Sequence, residues 1–172
     1  MHTLSNFERG ALALLFGAAL AGCASRPSGI DVPSGNKALM TLVAHGVQIY
    51  ECRAAADGRP AWAFVAPQAD LVDTAGRRIG IHGAGPSWQH TDGSGFAGTV
   101  RARAEAPGTA IPWLLLNATA QGPAGAFSQV SYVQRVNTVA GQAPADGCNA
   151  AVLGTRVHMA YRADYLLFTP RT

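Results

Sequence analysis

The ten residues FAGTVRARAE, at positions 96–105, alternate in character with a period of two. One face of an extended chain would carry the small or apolar members, Phe96, Gly98, Val100, Ala102 and Ala104. The opposite face would carry the polar members, Thr99, Arg101, Arg103 and Glu105. Such alternation is typical of a β-strand with one buried and one solvated face. We therefore predict a strand here and a β fold around it.

Further strands are predicted on both sides of this stretch. Alternating or short apolar runs occupy residues 43–52, 62–65, 77–82, 113–118, 130–136, 155–161 and 165–168. Turn-forming pairs such as Asp57-Gly58 and Asp92-Gly93 separate them, and residues 69–73 are compatible with one helical turn. The predicted fold class is all-β, an antiparallel β-sandwich or barrel of about seven to nine short strands with little helix.

Length and composition limit the class of protein. The chain has 172 residues, which suits one domain, and its 48% hydrophobic and 13% charged residues argue against intrinsic disorder. Glu and Lys are too scarce for a coiled coil. The formal net charge is +3, and the basic residues form no run beyond the pair Arg77-Arg78. Nucleic-acid binding depends on clustered basic side chains and is therefore not expected.

The N-terminal residues have the pattern of a bacterial lipoprotein signal. Arg9 precedes the apolar run 11–20, which is too short to span a bilayer but fits a secretory signal. The run ends in Leu20-Ala21-Gly22-Cys23, which resembles the lipobox, whose cysteine is acylated and becomes the mature N-terminus. Residues 1–22 are thus predicted to be a signal peptide, and Cys23 is predicted to carry lipid, including palmitate. Ala24 stands where an Asp would favour inner-membrane retention.

This signal sets the expected location and domain organisation. We expect a lipid-anchored protein of the bacterial cell envelope, held in the outer membrane and facing the periplasm. Residues 23–38 are polar and rich in Ser, Pro and Gly, which predicts a flexible tether. Residues 39–172 are predicted to form a single β domain.

The odd number of cysteines fits the same interpretation. If Cys23 carries lipid, Cys52 and Cys148 remain in an oxidising compartment, which favours a disulfide between them. The bond would close a loop of roughly 95 residues and stabilise the fold by about 4–5 kcal/mol in the chain-entropy model. Two buried free thiols are the alternative.

The segment GIHGAGPSWQHTD, residues 80–92, is the richest in functional groups. His82, Ser87 and Asp92 are candidates for a general base, a nucleophile and an orienting carboxylate. His82 and Trp88 are also candidate ligand-binding residues, because an imidazole and a rigid aromatic ring beside glycine-rich backbone suit a small polar ligand. A structural interpretation competes with both, in which Trp88 holds a Gly-Pro loop and His82 bonds to backbone. Any pocket in the domain is expected to involve this segment.

Two further patterns predict no site. Residues 93–98 match G-x-G-x-x-G, but a strand follows them instead of the helix that a dinucleotide site needs. Neither an H-x-H nor an H-x-x-x-H pair, which would place two imidazoles on one face, occurs among the histidines of the mature chain, His45, His82, His90 and His158. We therefore expect no metal and no other cofactor.

Arg135 lies among apolar residues in a predicted strand. A charge in such surroundings needs a partner, so we expect an ion pair with Asp70, Asp73 or Asp164.

The order of motifs along the chain resembles the DUF3455 family of bacterial and fungal domains. The segments that carry the resemblance are VQIYEC (47–52), WAFVAPQADL (62–71), GIH (80–82), GPSW (85–88), DGS (92–94), IPWLLL (111–116), YVQRVNT (132–138), APADGC (143–148) and YRADY (161–165). The resemblance implies a secreted or envelope β domain with no established activity, and it transfers no catalytic residue. One departure is Ala140-Gly141, where the family more often has two glycines.

These patterns favour a non-enzymatic binding or structural domain. Its expected partners are the membrane, through the lipid anchor, and a small molecule or another envelope component. The alternative is a hydrolase or redox enzyme with its site in the segment from His82 to Asp92.

Overall fold

The computed structural model describes residues 29–171, and their strands form one antiparallel sheet closed on itself as a barrel. The strands are β1 (Asn36–Ala54), β2 (Pro60–Val72), β3 (Arg78–Gly83), β4 (Ser87–His90), β5 (Gly95–Ala104), β6 (Trp113–Gln121), β7 (Tyr132–Ala140) and β8 (Arg156–Pro170). One short 3₁₀ helix, η1 (Ala150–Val152), precedes β8. The all-β prediction is confirmed. Of the two predicted architectures, sandwich and barrel, the closed sheet corresponds to the barrel.

Each strand pairs with its neighbours in chain order, and β8 pairs back onto β1. This closing pair is the longest, running from Asn36 opposite Pro170 to Glu51 opposite Arg156. An eight-stranded closed sheet has an interior just wide enough to be filled by side chains or to hold one small ligand.

The alternation predicted for residues 96–105 holds in the first half of β5, where Phe96 and Gly98 are buried and Thr99 is exposed. A β-bulge between Val100 and Ala102 then shifts the register. Arg103, predicted on the solvated face, therefore lies opposite Leu114 and faces the interior near its opening. A Cβ atom added at Gly98 would lie 2.7 Å from the Trp88 ring, so the glycine lets that ring pack against β5.

The core fills one part of the sheet's interior with stacked aromatic rings. Trp88 and Phe96 are stacked at 4.9 Å between centroids, and Phe127 packs against Phe96 at 5.7 Å. All three side chains are almost completely buried. Aromatic pairs of this kind add about 0.5–1.5 kcal/mol each beyond the area that they bury.

Cys52 and Cys148 form a disulfide, as predicted, with their Cα atoms 5.4 Å apart. The bond ties the long β7–β8 connection to β1. Trp62 reinforces this attachment, because its Nε1 donates a hydrogen bond to the backbone oxygen of Asp146 at 2.8 Å.

Residues 69–73, suggested as a helical turn, belong largely to β2, which runs through Pro67 to Val72. The helical suggestion is wrong because Leu71 and Ala69 point into the core between exposed Gln68 and Asp70, the pattern of a strand. Before Ala69, β2 pairs with β1 alone, and such a one-sided stretch tolerates a proline.

Residues 80–82 belong to the predicted strand 77–82, which β3 confirms, but the following residues, interpreted as a Gly-Pro loop, include a second strand, β4, that pairs with β3 as a hairpin. Gly80 lies on the crowded side of this hairpin, where a Cβ would approach the Gln89 backbone oxygen within 2.4 Å. Glycine at this position allows the two strands to approach closely.

The predicted signal peptide, the predicted lipidation site Cys23 and the first part of the predicted tether lie outside the described residues. The later tether residues are packed: Ile30 is buried, and its backbone oxygen accepts a hydrogen bond from Gln134 Nε2 at 2.6 Å. Strand β1 begins at Asn36, three residues before the predicted start of the domain. Within residues 29–171, no helix is long and apolar enough to cross a membrane.

Candidate functional site

A cavity of about 390 Å³ lies within the closed sheet, next to the aromatic core; we call it the interior cavity. Its walls are mainly apolar and include Phe64, Val100, Ile111, Leu114 and Leu116. Six polar or charged side chains also line it, Gln48, Tyr50, His82, Arg103, Arg135 and Tyr165. Phe64 and Val100, 53% and 38% exposed, border its opening to solvent.

His82 on β3 contributes a buried imidazole to the interior cavity. The ring stacks on Trp88 and meets Tyr165 edge-on, with centroid distances of 4.1 and 5.2 Å. Burial lowers the pKa of His82 to about 4; the hydrogen bond to Ser87 opposes this shift and the Arg135 charge adds to it. The ring is therefore neutral at pH 7. Its Nδ1 lies 2.8 Å from the Ser87 carbonyl, which only accepts, so Nδ1 carries the proton and Nε2 is an acceptor.

Ser87 and Asp92 do not join His82 in a triad. His82 contacts the backbone oxygen of Ser87, while the Ser87 hydroxyl donates to Ala84 O at 2.9 Å. Asp92 accepts hydrogen bonds from the Ser94 hydroxyl at 2.6 Å and from Ala126 N at 2.9 Å. The structure thus brings His82 and Trp88 together at the cavity. The side chains of Ser87 and Asp92 instead form local hydrogen bonds that stabilise turns of the chain.

The Asp92 carboxylate organises the β4–β5 turn. Hydrogen bonds from Ala126 N and from the side chain and backbone of Ser94 hold its pKa well below the usual range, with His90 adding a smaller effect. Such bonds favour the charged form. The carboxylate therefore joins this turn to the β6–β7 connection as a structural group.

Arg135 on β7 points into the closed sheet between Leu114 of β6 and Tyr165 of β8, which are its register partners. Its Nε and Nη2 donate to the backbone oxygen of Pro112 at 3.0 and 2.7 Å. The predicted ion pair is wrong. The three proposed acids pair elsewhere: Asp70 with Arg78, Asp73 with Arg77 and Asp164 with Arg162.

Several buried donors around the cavity are incompletely satisfied among the described residues. Trp88 Nε1 has no hydrogen-bond partner there. Gln48 Nε2 and the hydroxyls of Tyr161 and Tyr165 form no hydrogen bond of ordinary length, although Tyr161 interacts with Gln48 and Tyr165, and Tyr165 with Arg135. Burial raises the pKa of Tyr165; the Arg135 charge and side-chain hydrogen bonds with Tyr161 and Arg135 oppose this rise, and the hydroxyl stays protonated. Buried polar groups without partners are rare and mark sites where another molecule or water supplies the bond.

The chain's sequence matches one family model, described as a protein of unknown function (DUF3455), over residues 33–169. The chain belongs to the DUF3455 family. It matches no curated protein and no solved structure. The resemblance predicted from the sequence motifs is therefore confirmed, and the site is understood from its own geometry.

Ala140, where the DUF3455 family more often has a glycine, adopts a backbone conformation that favours glycine. Ala140 has a φ of 56°, in the left-handed region that glycine adopts without steric cost. The next residue, Gly141, has a φ of 84°, and its backbone oxygen accepts a hydrogen bond from the Tyr50 hydroxyl at 2.8 Å. The turn thus keeps the shape that a pair of glycines would suit.

Potential metal ligands do not cluster in this DUF3455 domain. Across residues 29–171, no group of three or more His, Cys, Asp or Glu side chains could hold a metal ion. His45 and His158 are exposed on the sheet, and His90 lies 3.0 Å from Asp92.

A second cleft, of about 740 Å³, lies between the segment Ile30–Asn36 and the outer face of β7 and β8. Leu166 and Phe168 line it, whereas the alternating residues Tyr165 and Leu167 face the interior. This cleft is larger, but neither His82 nor Arg135 lines it. Because both residues line the interior cavity, that cavity is the candidate site.

Sequence reasoning missed Gln48 and Tyr165 as members of the site. In β1 the apolar residues Val43, Val47 and Ile49 share the face opposite Gln48, but the structure buries the face that carries Gln48. Tyr165 begins the apolar run 165–168, in which no alternation shows which residues face the interior.

Proposed function

We propose that this protein is a lipid-anchored domain of the bacterial envelope that binds a small ligand in the interior cavity without transforming it. The anchor is supported by the lipobox that ends at Cys23. The binding role is supported by the cavity and by the chemistry of its walls.

The observation that carries the proposal is the combination of an open cavity with buried, unpartnered polar groups. Its volume of about 390 Å³ falls within the usual range for ligand pockets. Gln48 and Trp88 are each 2% exposed and have polar nitrogens without partners among the described residues. A ligand that supplies those bonds would remove a cost of about 1–3 kcal/mol for each group.

Binding is favoured over catalysis because the candidate nucleophile is occupied. The Ser87 hydroxyl bonds to Ala84 O, and the imidazole proton of His82 is committed to the Ser87 carbonyl. A triad needs the base bonded to the nucleophile's hydroxyl and to a carboxylate. Neither bond is present in the described part of the chain.

Recovery of a ligand from natively purified protein tests the proposal. The full chain is purified from membranes of its own host without denaturant, extracted with organic solvent, and the extract is analysed by mass spectrometry. The blocking variant is Val100→Trp, which places a large ring at the cavity opening. The matched control is Ile81→Trp, because Ile81 is an exposed strand residue, 43% exposed, that does not line the cavity.

We expect one compound in near-equimolar amount from the wild type and from Ile81→Trp, and little of it from Val100→Trp. Equal recovery from both variants, or no compound from the wild type, would contradict binding in the interior cavity.

A further inference from the structure

We infer that the ligand of the interior cavity is a carboxylic acid with a compact apolar body, and that its carboxylate is received by Arg135. This inference rests on the proposed binding function and adds the chemical class of the ligand. It depends on the charge balance inside the sheet, on the remaining donors and on the shape of the walls.

The charge balance in the cavity is positive. Two arginines line it, Arg103 and Arg135, and no Asp or Glu does. Arg103 is exposed near the opening, whereas Arg135 is partly buried between β6 and β8. His82 is neutral at pH 7, so Arg135 supplies the inner charge. A cation removed from water is costly unless an anion or several hydrogen bonds compensate for it.

The Pro112 carbonyl compensates Arg135 only in part. It accepts from Nε and Nη2, and the Tyr165 hydroxyl also interacts with the guanidinium, but a guanidinium carries five N–H donors, so donors remain for another acceptor. A carbonyl supplies a dipole, whereas a carboxylate supplies a full negative charge and matches the planar geometry of guanidinium. The unused side of Arg135 is therefore suited to an anionic oxygen.

The neutral groups nearby reinforce the preference for an acceptor. Trp88 Nε1 and Gln48 Nε2 can only donate, and both lack partners among the described residues. The Tyr165 hydroxyl, on a side chain that is 1% exposed, interacts with Tyr161 and Arg135 but forms no hydrogen bond of ordinary length. A ligand group that can only donate, such as an ammonium, would leave these groups unsatisfied, whereas the two oxygens of a carboxylate accept several hydrogen bonds at once.

The walls determine the rest of the ligand. Ile111, Leu114 and Leu116 are buried apolar residues of the cavity, and Phe64 and Val100 extend the apolar surface to its opening. A volume of about 390 Å³ holds roughly a dozen non-hydrogen atoms if each takes the share of a water molecule. An apolar chain or ring of that size, ending in one carboxylate, matches both the walls and the single inner charge.

Titration with two probes of equal size tests the inference. Octanoate and octanamide have the same chain and differ in the charge of the head group, and both are titrated into the delipidated full chain by calorimetry at pH 7. Arg135→Gln removes the inner charge. Arg101→Gln is the matched control, because Arg101 is an exposed arginine on the outer face of β5.

We expect the wild type and Arg101→Gln to bind octanoate about ten- to a hundredfold more tightly than octanamide, and Arg135→Gln to lose this preference. Equal affinity for the two probes in the wild type would contradict the preference for a carboxylate and would indicate a cavity that binds neutral ligands. Failure to bind either probe would also overturn it, and ligand recovery with Val100→Trp would still decide whether the cavity binds at all. The wild-type comparison needs no variant, so it remains decisive if Arg135→Gln fails to fold.

Discussion

The imidazole of His82 lies flat against the indole of Trp88, with ring centroids 4.1 Å apart and planes inclined by 18°. Phe96 also stacks on Trp88, with ring centroids 4.9 Å apart. The rings of His82, Trp88 and Phe96 therefore form a stacked row. The imidazole is only 3% exposed, and its burial makes protonation costly. His82 is thus both a wall of the cavity and a titratable part of the core.

This burial predicts a pH-dependent stability. The pKa of His82 is about 4 in the folded chain, against 6.5 for an ordinary histidine. Between these values the unfolded chain binds a proton that the folded chain does not, so the free energy of unfolding falls by about 3 kcal/mol as pH drops from 7 to 4. Urea unfolding across that range measures it. We expect His82→Gln to remove most of the slope between pH 7 and 5 and the exposed-residue variant His158→Gln to retain it; the same slope in His82→Gln would contradict the assignment.

The left-handed backbone at Ala140 predicts a stabilising substitution. An L-residue there loses about 1–2 kcal/mol, which glycine avoids at a smaller cost in unfolded-chain entropy. Ala140→Gly should therefore raise the free energy of unfolding by up to about 1 kcal/mol, measured by urea titration. Val139→Gly serves as the control on the adjacent exposed residue and should lower it. Destabilisation by Ala140→Gly would show that the turn has no strain to relieve.

The hydrogen bonds of Asp92 predict a structural role. Asp92→Ala removes the acceptor for Ser94 and Ala126, so we expect the midpoint of thermal unfolding to fall by several degrees. Octanoate affinity, measured well below that midpoint, should change little because Asp92 does not line the interior cavity. A large loss of affinity in folded Asp92→Ala would instead favour a direct role at the site.

The lipobox predicts the attachment of the chain to membranes. Cys23→Ala should abolish incorporation of radiolabelled palmitate and move the protein from the membrane to the soluble fraction, because the acyl chains on this cysteine would hold the protein at the membrane. The control Cys52→Ala/Cys148→Ala removes the disulfide and should keep the label. Unchanged fractionation of Cys23→Ala would contradict the lipoprotein proposal.

Local patterns in the sequence were sufficient to predict the strands but not the closure of the sheet. Alternation located β5 and β3 because the period of two is a property of neighbouring residues. The predicted runs 155–161 and 165–168 are one strand, β8, because pairing with β1 carries the chain through Arg162 and Asp164. That pairing joins residues more than a hundred positions apart, which no local window contains.

The site was predictable only in part for the same reason. His82 and Trp88 were found because one segment holds both, and they are register partners in the β3–β4 hairpin. Arg135 was recognised as a charge that needs a partner, but the partner within the chain is the Pro112 carbonyl, and backbone groups leave no trace in a sequence. The cavity itself arises from strands that meet across the closed sheet.

The most direct test of the central claim is a crystal structure, at high resolution, of the protein purified from its own host without denaturant. We predict electron density for a non-protein molecule in the interior cavity, with oxygen atoms about 3 Å from the Arg135 guanidinium and an apolar part against Leu114 and Ile111. A cavity that holds ordered water alone, with Gln48, Trp88 and Tyr165 all bonded to that water, would contradict it.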